Sequence, residues 1–352
     1  MHRFRRWGAQ PLRVIGGVVL VALAAAVWFG AARWRDQSAL GVWHRSITLG
    51  ADVPLQARLT LTRRKHGITY TTVADVMEAS HGRYQMRYLE PKEAAGRIVY
   101  SDGHTFWQSE PGKQILATAP LQSAVRTSER ATEELVKRNY KVVLVSDAER
   151  RNGRLCYLLE FLPRDDGKST QRRWIDHTTY RTLRIESHYP DGILATSTNY
   201  EPTALPAQLT GREFTPPANA ACHRMDPDAT TLPPGANLDT YAGRLGLRSR
   251  GSLGFDLTQV STGSLQRGKA AQLFYSDGLE TISVFVESGG SLTEAHTPGW
   301  REIAVSGHKA YENVDGHLIA ITWSSGGHRY TALGRLASPA LIRFVEGLTL
   351  TP

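Results

Sequence analysis

Leu273-Phe274-Tyr275-Ser276-Asp277-Gly278-Leu279-Glu280-Thr281-Ile282-Ser283-Val284-Phe285-Val286 is two β-prone apolar runs on either side of an Asp-Gly pair. Asp-Gly accepts the positive φ that a tight turn demands, so the stretch reads as strand, turn, strand. Its surroundings repeat the pattern: Lys309 to Val314 and His317 to Trp323 flank Asp315-Gly316, and Gly326-Gly327 turns into His328 to Leu333. A closing helix is predicted with Ser338 as N-cap, Pro339 at the first helical position, and Leu341, Ile342 and Val345 facing inward. Four or five strands with one or two helices make residues 240–352 a small α+β domain.

Working back, residues 204–239 hold Pro206, Pro216, Pro217, Pro227, Pro233 and Pro234 among small polar residues. Proline removes a backbone donor and fixes φ, so this stretch reads as a linker that makes neither a long helix nor a central strand. Residues 37–203 read as short antiparallel strands. Leu55, Ala57, Leu59 and Leu61 alternate with Gln56, Arg58 and Thr60, the period of a half-buried strand. Ile98-Val99-Tyr100, Ser101-Asp102-Gly103 and Thr105-Phe106-Trp107 form a hairpin, and Leu155 to Leu162 is apolar on both faces, as a central strand is. Arg172 to Asp176 and Thr182 to Tyr189 continue the meander, with Pro190-Asp191-Gly192 as a turn. The predicted helix here is Glu129 to Asn139, capped by Ser128, with Leu135 and Val136 inward.

Residues 1–36 read as an export segment. His2, Arg3, Arg5, Arg6 and Arg13 precede Val14 to Ala32, about 19 residues without a charge, which is the length of a membrane-spanning helix. The basic flank keeps the N-terminus inside and places everything from Arg33 onward outside. Small-residue triplets such as Ala24-Ala25-Ala26 suit a signal peptidase, whereas Trp28 and Trp34 suit an interfacial belt. Both a cleaved signal and a retained inner-membrane anchor at residues 14–32 stay open. In an oxidising compartment Cys156 and Cys222 have one possible pairing, a candidate disulfide.

The whole chain has 352 residues, 41% hydrophobic and 21% charged, which excludes a disordered chain and a polytopic membrane protein. Its net charge of +9 favours an anionic partner, and export removes nucleic acid from consideration. No enzyme signature is found. Gly167-Lys168-Ser169 imitates the end of a phosphate loop, but the first glycine of that motif would fall on Leu162. No H-E-x-x-H or G-x-S-x-G is present, Cys222-His223 is a lone couple, and no metal or cofactor is expected. What stands out is aromatic strand surface at Tyr84, Met86, Tyr88, Phe106, Trp107, Tyr157, Phe161 and Trp174. These residues are either core or the lining of a curved sheet that takes an acyl chain.

Gly82-Arg83-Tyr84-Gln85-Met86-Arg87-Tyr88-Leu89-Glu90-Pro91 and Tyr100 to Trp107 resemble the lipoprotein-carrier-like domain of the MucB/RseB family. Leu273 to Val286, with Trp323 and Gly326 to Gly334, is similar to that family's C-terminal domain. The resemblance implies a half-open antiparallel β-barrel with helices on its concave face, then a smaller α+β domain. It also implies a periplasmic, non-enzymatic regulator of an envelope-stress sigma factor. Such a protein binds the periplasmic segment of an anti-sigma factor, with a lipid or lipopolysaccharide fragment as signal; the alternative is a periplasmic lipid or lipoprotein carrier. Candidate lipid contacts are Tyr88, Phe106, Trp107, Tyr157, Phe161 and Trp174, and candidate partner contacts are Tyr275, Asp277 and Gly278.

Overall fold

A computed structural model describes residues 38–65, 67–80, 82–109, 115–120, 129–204, 209, 211–218, 220–224, 230–232, 237–265, 268–289, 292 and 297–348. The expected export segment, Val14 to Ala32, and the expected cap Ser128 lie outside the described residues. Among those described, no helix is long and apolar enough to cross a membrane.

The fold is α+β and is built on two sheets. The first contains β1 (Leu55–Lys65), β2 (Ile68–Ala79), β3 (Arg83–Glu90), β4 (Ile98–Asp102), β5 (Thr105–Gln108), β6 (Ile115–Pro120), β7 (Tyr140–Arg151), β8 (Arg154–Pro163), β9 (Thr170–Asp176), β10 (Thr182–His188), β11 (Leu194–Ala204) and β12 (Ala221–Arg224). Their order is β12-β6-β5-β4-β3-β2-β1-β11-β10-β9-β8-β7. Because β1 pairs with both β2 and β11, the chain begins at the centre of the sheet and returns to it. The sheet stays open, with β7 and β12 as its edges. This is the half-open barrel that the resemblance implies.

Helix α1 (Ala39–Thr48) lies on the concave face, in a stretch where the sequence pattern marks no helix. Gly41, Ile47 and Thr48 are poor helix formers, so local propensity hides it. Tertiary burial decides: the Ser38 side chain accepts a hydrogen bond from the Gly41 amide at 3.0 Å, and Val42 and Trp43 then face the sheet. They join Val136 of α2 (Glu129–Asn139) and Tyr140, Tyr157, Leu159, Phe161 and Ile175 in one buried cluster. Strand β8 is buried on both faces, as its sequence predicts, yet it sits one place in from the edge because β7 follows α2.

The second sheet has the order β13-β14-β15-β16-β20-β19-β18-β17. Its strands are β13 (Thr230–Thr231), β14 (Asp256–Leu265), β15 (Gly268–Ser276), β16 (Thr281–Ser288), β17 (Trp300–Val305), β18 (His308–Asp315), β19 (Leu318–Ser325) and β20 (His328–Gly334). Among the described residues of 240–352, seven strands replace the expected four or five, and β13 joins them from the proline-rich stretch. Strand β14 is rich in Ser, Thr and Gly, and the edge strand β17 carries exposed Arg301 and Glu302, so neither shows a strong apolar period. Helix α3 (Leu238–Arg244) borders this sheet, and α4 (Ser338–Leu348) buries Leu341, Phe344, Val345 and Leu348 against it. The Ser338 hydroxyl donates to the fully buried carboxylate of Glu312, which also pairs with Arg301 across from it on β17. The proline-rich stretch contributes β12 to the edge of the first sheet and β13 to the edge of the second. Edges are where proline-flanked backbone fits.

Candidate functional site

Opposed residues in an antiparallel pair share a face, so the register shows what lines the concave surface. Leu59 opposes Tyr200 on one side and Ala74 on the other, and Ala74 opposes Tyr88. Two residues along, Met86 opposes Val99, and Tyr84 opposes Ser101, which opposes Phe106. In the other direction Thr198 opposes Ile185, Ile185 opposes Arg173, and Arg173 opposes Leu159, which shares its face with Tyr157 and Phe161. One continuous face therefore carries Tyr84, Met86, Tyr88, Phe106, Tyr200, Tyr157 and Phe161.

Four of the six expected lipid contacts, Tyr88, Phe106, Tyr157 and Phe161, stand on that face. They do not share one surface. Tyr157 and Phe161 lie under α1, where the Trp43 ring meets Phe161 edge-on at 5.1 Å and the Arg173 guanidinium lies 4.5 Å from the Trp43 ring. Tyr88 and Phe106 are half-buried beside Tyr84 and Met86. Trp107 and Trp174 point to the other side. Trp107 opposes Tyr100, and Trp174 packs with Cys156, Leu158 and Leu183 under the guanidinium groups of Arg151 and Arg184. Six aromatics read as one lining are thus split by the period-two alternation that places neighbours on opposite faces.

The concave half around β1 to β5 has polar groups at one end. Arg181 pairs with Glu78 and donates to the Val53 carbonyl at 2.7 Å. Burial raises the Tyr200 phenol above its usual range, and the Glu78 carboxylate beside it adds to the shift. Burial likewise raises Tyr84, helped by Tyr88 and Glu78. Both phenols are neutral donors near pH 7. The surface therefore offers aromatic and thioether contact along Met86, Tyr88 and Phe106, and hydrogen-bond donors at Tyr84 and Tyr200. Sequence reading missed Glu78, Arg181 and Tyr200, because they are distant in sequence: the β1–β2–β11 register brings Glu78 near Tyr200, and Arg181 reaches Glu78 from the β9–β10 turn.

Of the three expected partner contacts, Tyr275 and Asp277 are buried within this chain and Gly278 is half-buried. Tyr275 donates its hydroxyl to the Arg248 carbonyl at 2.8 Å and packs on Phe344. Asp277 accepts from the Tyr140 hydroxyl at 2.8 Å and pairs with Lys168 at 3.1 Å. Gly278, at φ +103°, lies so close to α2 that an added Cβ would fall 2.8 Å from Val136 Cγ2. Asn139 donates to the carbonyls of Asp277 at 3.0 Å and Gly254 at 2.9 Å. The β15–β16 turn thus binds the first sheet of its own chain.

The expected disulfide is also corrected. Both cysteines are free: Cys156 is buried on β8, and Cys222 is exposed on β12. These strands lie toward opposite edges of the first sheet. Among the described residues no cluster of His, Cys, Asp and Glu could hold a metal ion.

Compared by sequence, the chain matches no protein-family model and no curated protein. Compared by structure, it overlays the complex structure of Pseudomonas aeruginosa MucA/MucB with a TM-score of 0.52 at 17% identity. That match covers 89% of this chain and 99% of the other. The chain has the MucB fold. A crystal structure of MucB in complex with MucA(peri) gives a TM-score of 0.50 at 16% identity, over 89% of this chain and 98% of that one. Neither sheet alone reaches that coverage, so the likeness to MucB includes both sheets.

Proposed function

We propose that this chain is a non-enzymatic periplasmic regulator that binds the periplasmic segment of an anti-sigma factor. The observation that carries the reading is the two-sheet overlay on MucB, in structures solved together with MucA. A carrier would need only one curved sheet. In this reading residues 37–203 and 240–352 act as two domains joined by the proline-rich 204–239, and the export segment delivers them across the inner membrane. Co-purification with the periplasmic segment of the cognate anti-sigma factor tests the proposal; no complex with lipid-free or lipid-loaded protein would overturn it.

Lipid enters as a second element, supported by the half-buried Tyr84, Met86, Tyr88 and Phe106 on the concave face. An acyl chain would lie along Met86, Tyr88 and Phe106, with its polar end toward Tyr84, Tyr200 and the Arg181–Glu78 pair. The same surface is the basis of the alternative, a lipid or lipoprotein carrier. Mass spectrometry of organic extracts from the purified protein separates the two. Bound acyl chains without anti-sigma binding favour the carrier, and both together favour the regulator.

A further inference from the structure

Six of the ten large apolar side chains that are exposed among the described residues gather at one place: Ile68, Tyr70, Ile193, Leu194, Val314 and Leu318. They come from three turns that meet around Tyr189. The Tyr189 hydroxyl donates to the Arg64 carbonyl at 3.1 Å, its ring stacks on His317 with centroids 3.4 Å apart, and its amide donates to the Ile193 carbonyl at 2.8 Å. Lys65 pairs with Asp315 at 2.6 Å and ties the β1–β2 turn to the β18–β19 turn.

The β1–β2 ribbon extends past its neighbours. Arg63, Arg64, Lys65, Ile68, Thr69, Tyr70 and Thr71 are all exposed, and β3 begins to pair with β2 only at Val73. Register places Arg63 opposite Tyr70 and Lys65 opposite Ile68, so one face of the ribbon carries two cations and two apolar side chains. Ile68 is 57% exposed and Tyr70 54%. Of the acidic groups beside them, Asp315 is paired with Lys65, and Asp191 accepts from the Ile193 amide and keeps its charge.

We infer that these three turns dock the protein on an anionic lipid surface. The patch is a set of protruding turn tips, a shape that enters a flat interface. Apolar tips enter the boundary between headgroups and acyl chains, Tyr70 suits that boundary by being amphipathic, and Arg63, on the same face as Tyr70, meets the lipid phosphates. This role is separate from the concave face and from the anti-sigma reading.

Amide exchange of the full chain tests it, read at residues 63–71 and 189–194 and thus independent of membrane attachment through the N-terminal segment. The chain is mixed with vesicles of phosphatidylcholine, alone or with phosphatidylglycerol. Exchange at both segments is expected to slow about fivefold or more on the phosphatidylglycerol vesicles only, and to recover at high salt. The Ile68→Ser/Tyr70→Ser variant should lose the slowing while keeping the native circular-dichroism spectrum and thermal transition. Equal exchange on both vesicle types, or equal slowing in the variant, overturns the proposal. Slowing by the anti-sigma segment but not by vesicles also overturns it and assigns the open β2 edge to a peptide.

Discussion

Lys168 and Asp277 form an ion pair at 3.1 Å with both side chains at 0% exposure, although one precedes β9 in the first sheet and the other lies in the β15–β16 turn of the second. The Lys168 ammonium also lies over the rings of Tyr140 and Phe255, at 5.5 and 5.1 Å. Two charges removed from water are tolerable only together, so this pair commits the two sheets to one arrangement. Lys168→Met alone strands the carboxylate and should cost about 3–5 kcal/mol in chemical denaturation. Lys168→Met combined with Asp277→Asn should restore part of that loss, since neither member of the pair then carries a charge and the amide oxygen can still accept from the turn amides of Leu279 and Glu280; equal losses in the single and double variants would contradict the pairing.

Gly278 sits against α2 at the same junction. An added Cβ meets both Val136 Cγ2 and the Val136 amide nitrogen within 3 Å, at a φ that L-residues avoid. Gly278→Ala should therefore destabilise by about 2 kcal/mol, whereas Gly289→Ala, where nothing lies within 4 Å, should show only the smaller backbone cost. Thermal melts of the two variants side by side check the difference.

Glu280 makes the junction respond to pH. Burial pushes its carboxyl up to about 7, with the Asp277 charge adding to the rise and Arg335 opposing it. The native state then holds a proton that the unfolded chain, near its ordinary 4.5, releases earlier. Stability from this group is full below about 4.5 and is lost as pH rises through about 7. Denaturation midpoints should fall between pH 5 and pH 7.5 in the native sequence, and Glu280→Gln should flatten that slope.

The free cysteines give a direct chemical count. Burial, then the Asp176 charge, push the Cys156 thiol up to about 11, and its side chain is inaccessible, whereas Cys222 is exposed. A thiol reagent should add one label to the native chain and two after denaturation, read by intact mass. No label in either state would restore the disulfide.

Much of the fold is legible in the sequence, and the reason is local. The Asp-Gly turns at Asp102-Gly103, Asp277-Gly278 and Asp315-Gly316 and the apolar run of β8 carry their conformations in their own chemistry. Helix α1 escapes notice because Trp43 is held by Phe161 and Arg173, which lie far away in sequence. The candidate site is less legible. Alternation reveals that Phe106 and Trp107 face opposite ways, but only the sheet order shows that Phe106 and Tyr88 share a face with Tyr200. Asp277 is buried and Gly278 half-buried against α2, a helix whose position no local pattern in the hairpin reports.

The central claim is recognition of an anti-sigma factor by a chain with the MucB fold. Titration of the cognate anti-sigma periplasmic segment into the full chain, followed by calorimetry, tests it most directly. Saturable binding of one segment per chain is expected, weakened when lipid occupies the concave face. No heat and no complex at any ratio, with the protein lipid-free and lipid-loaded, would contradict it.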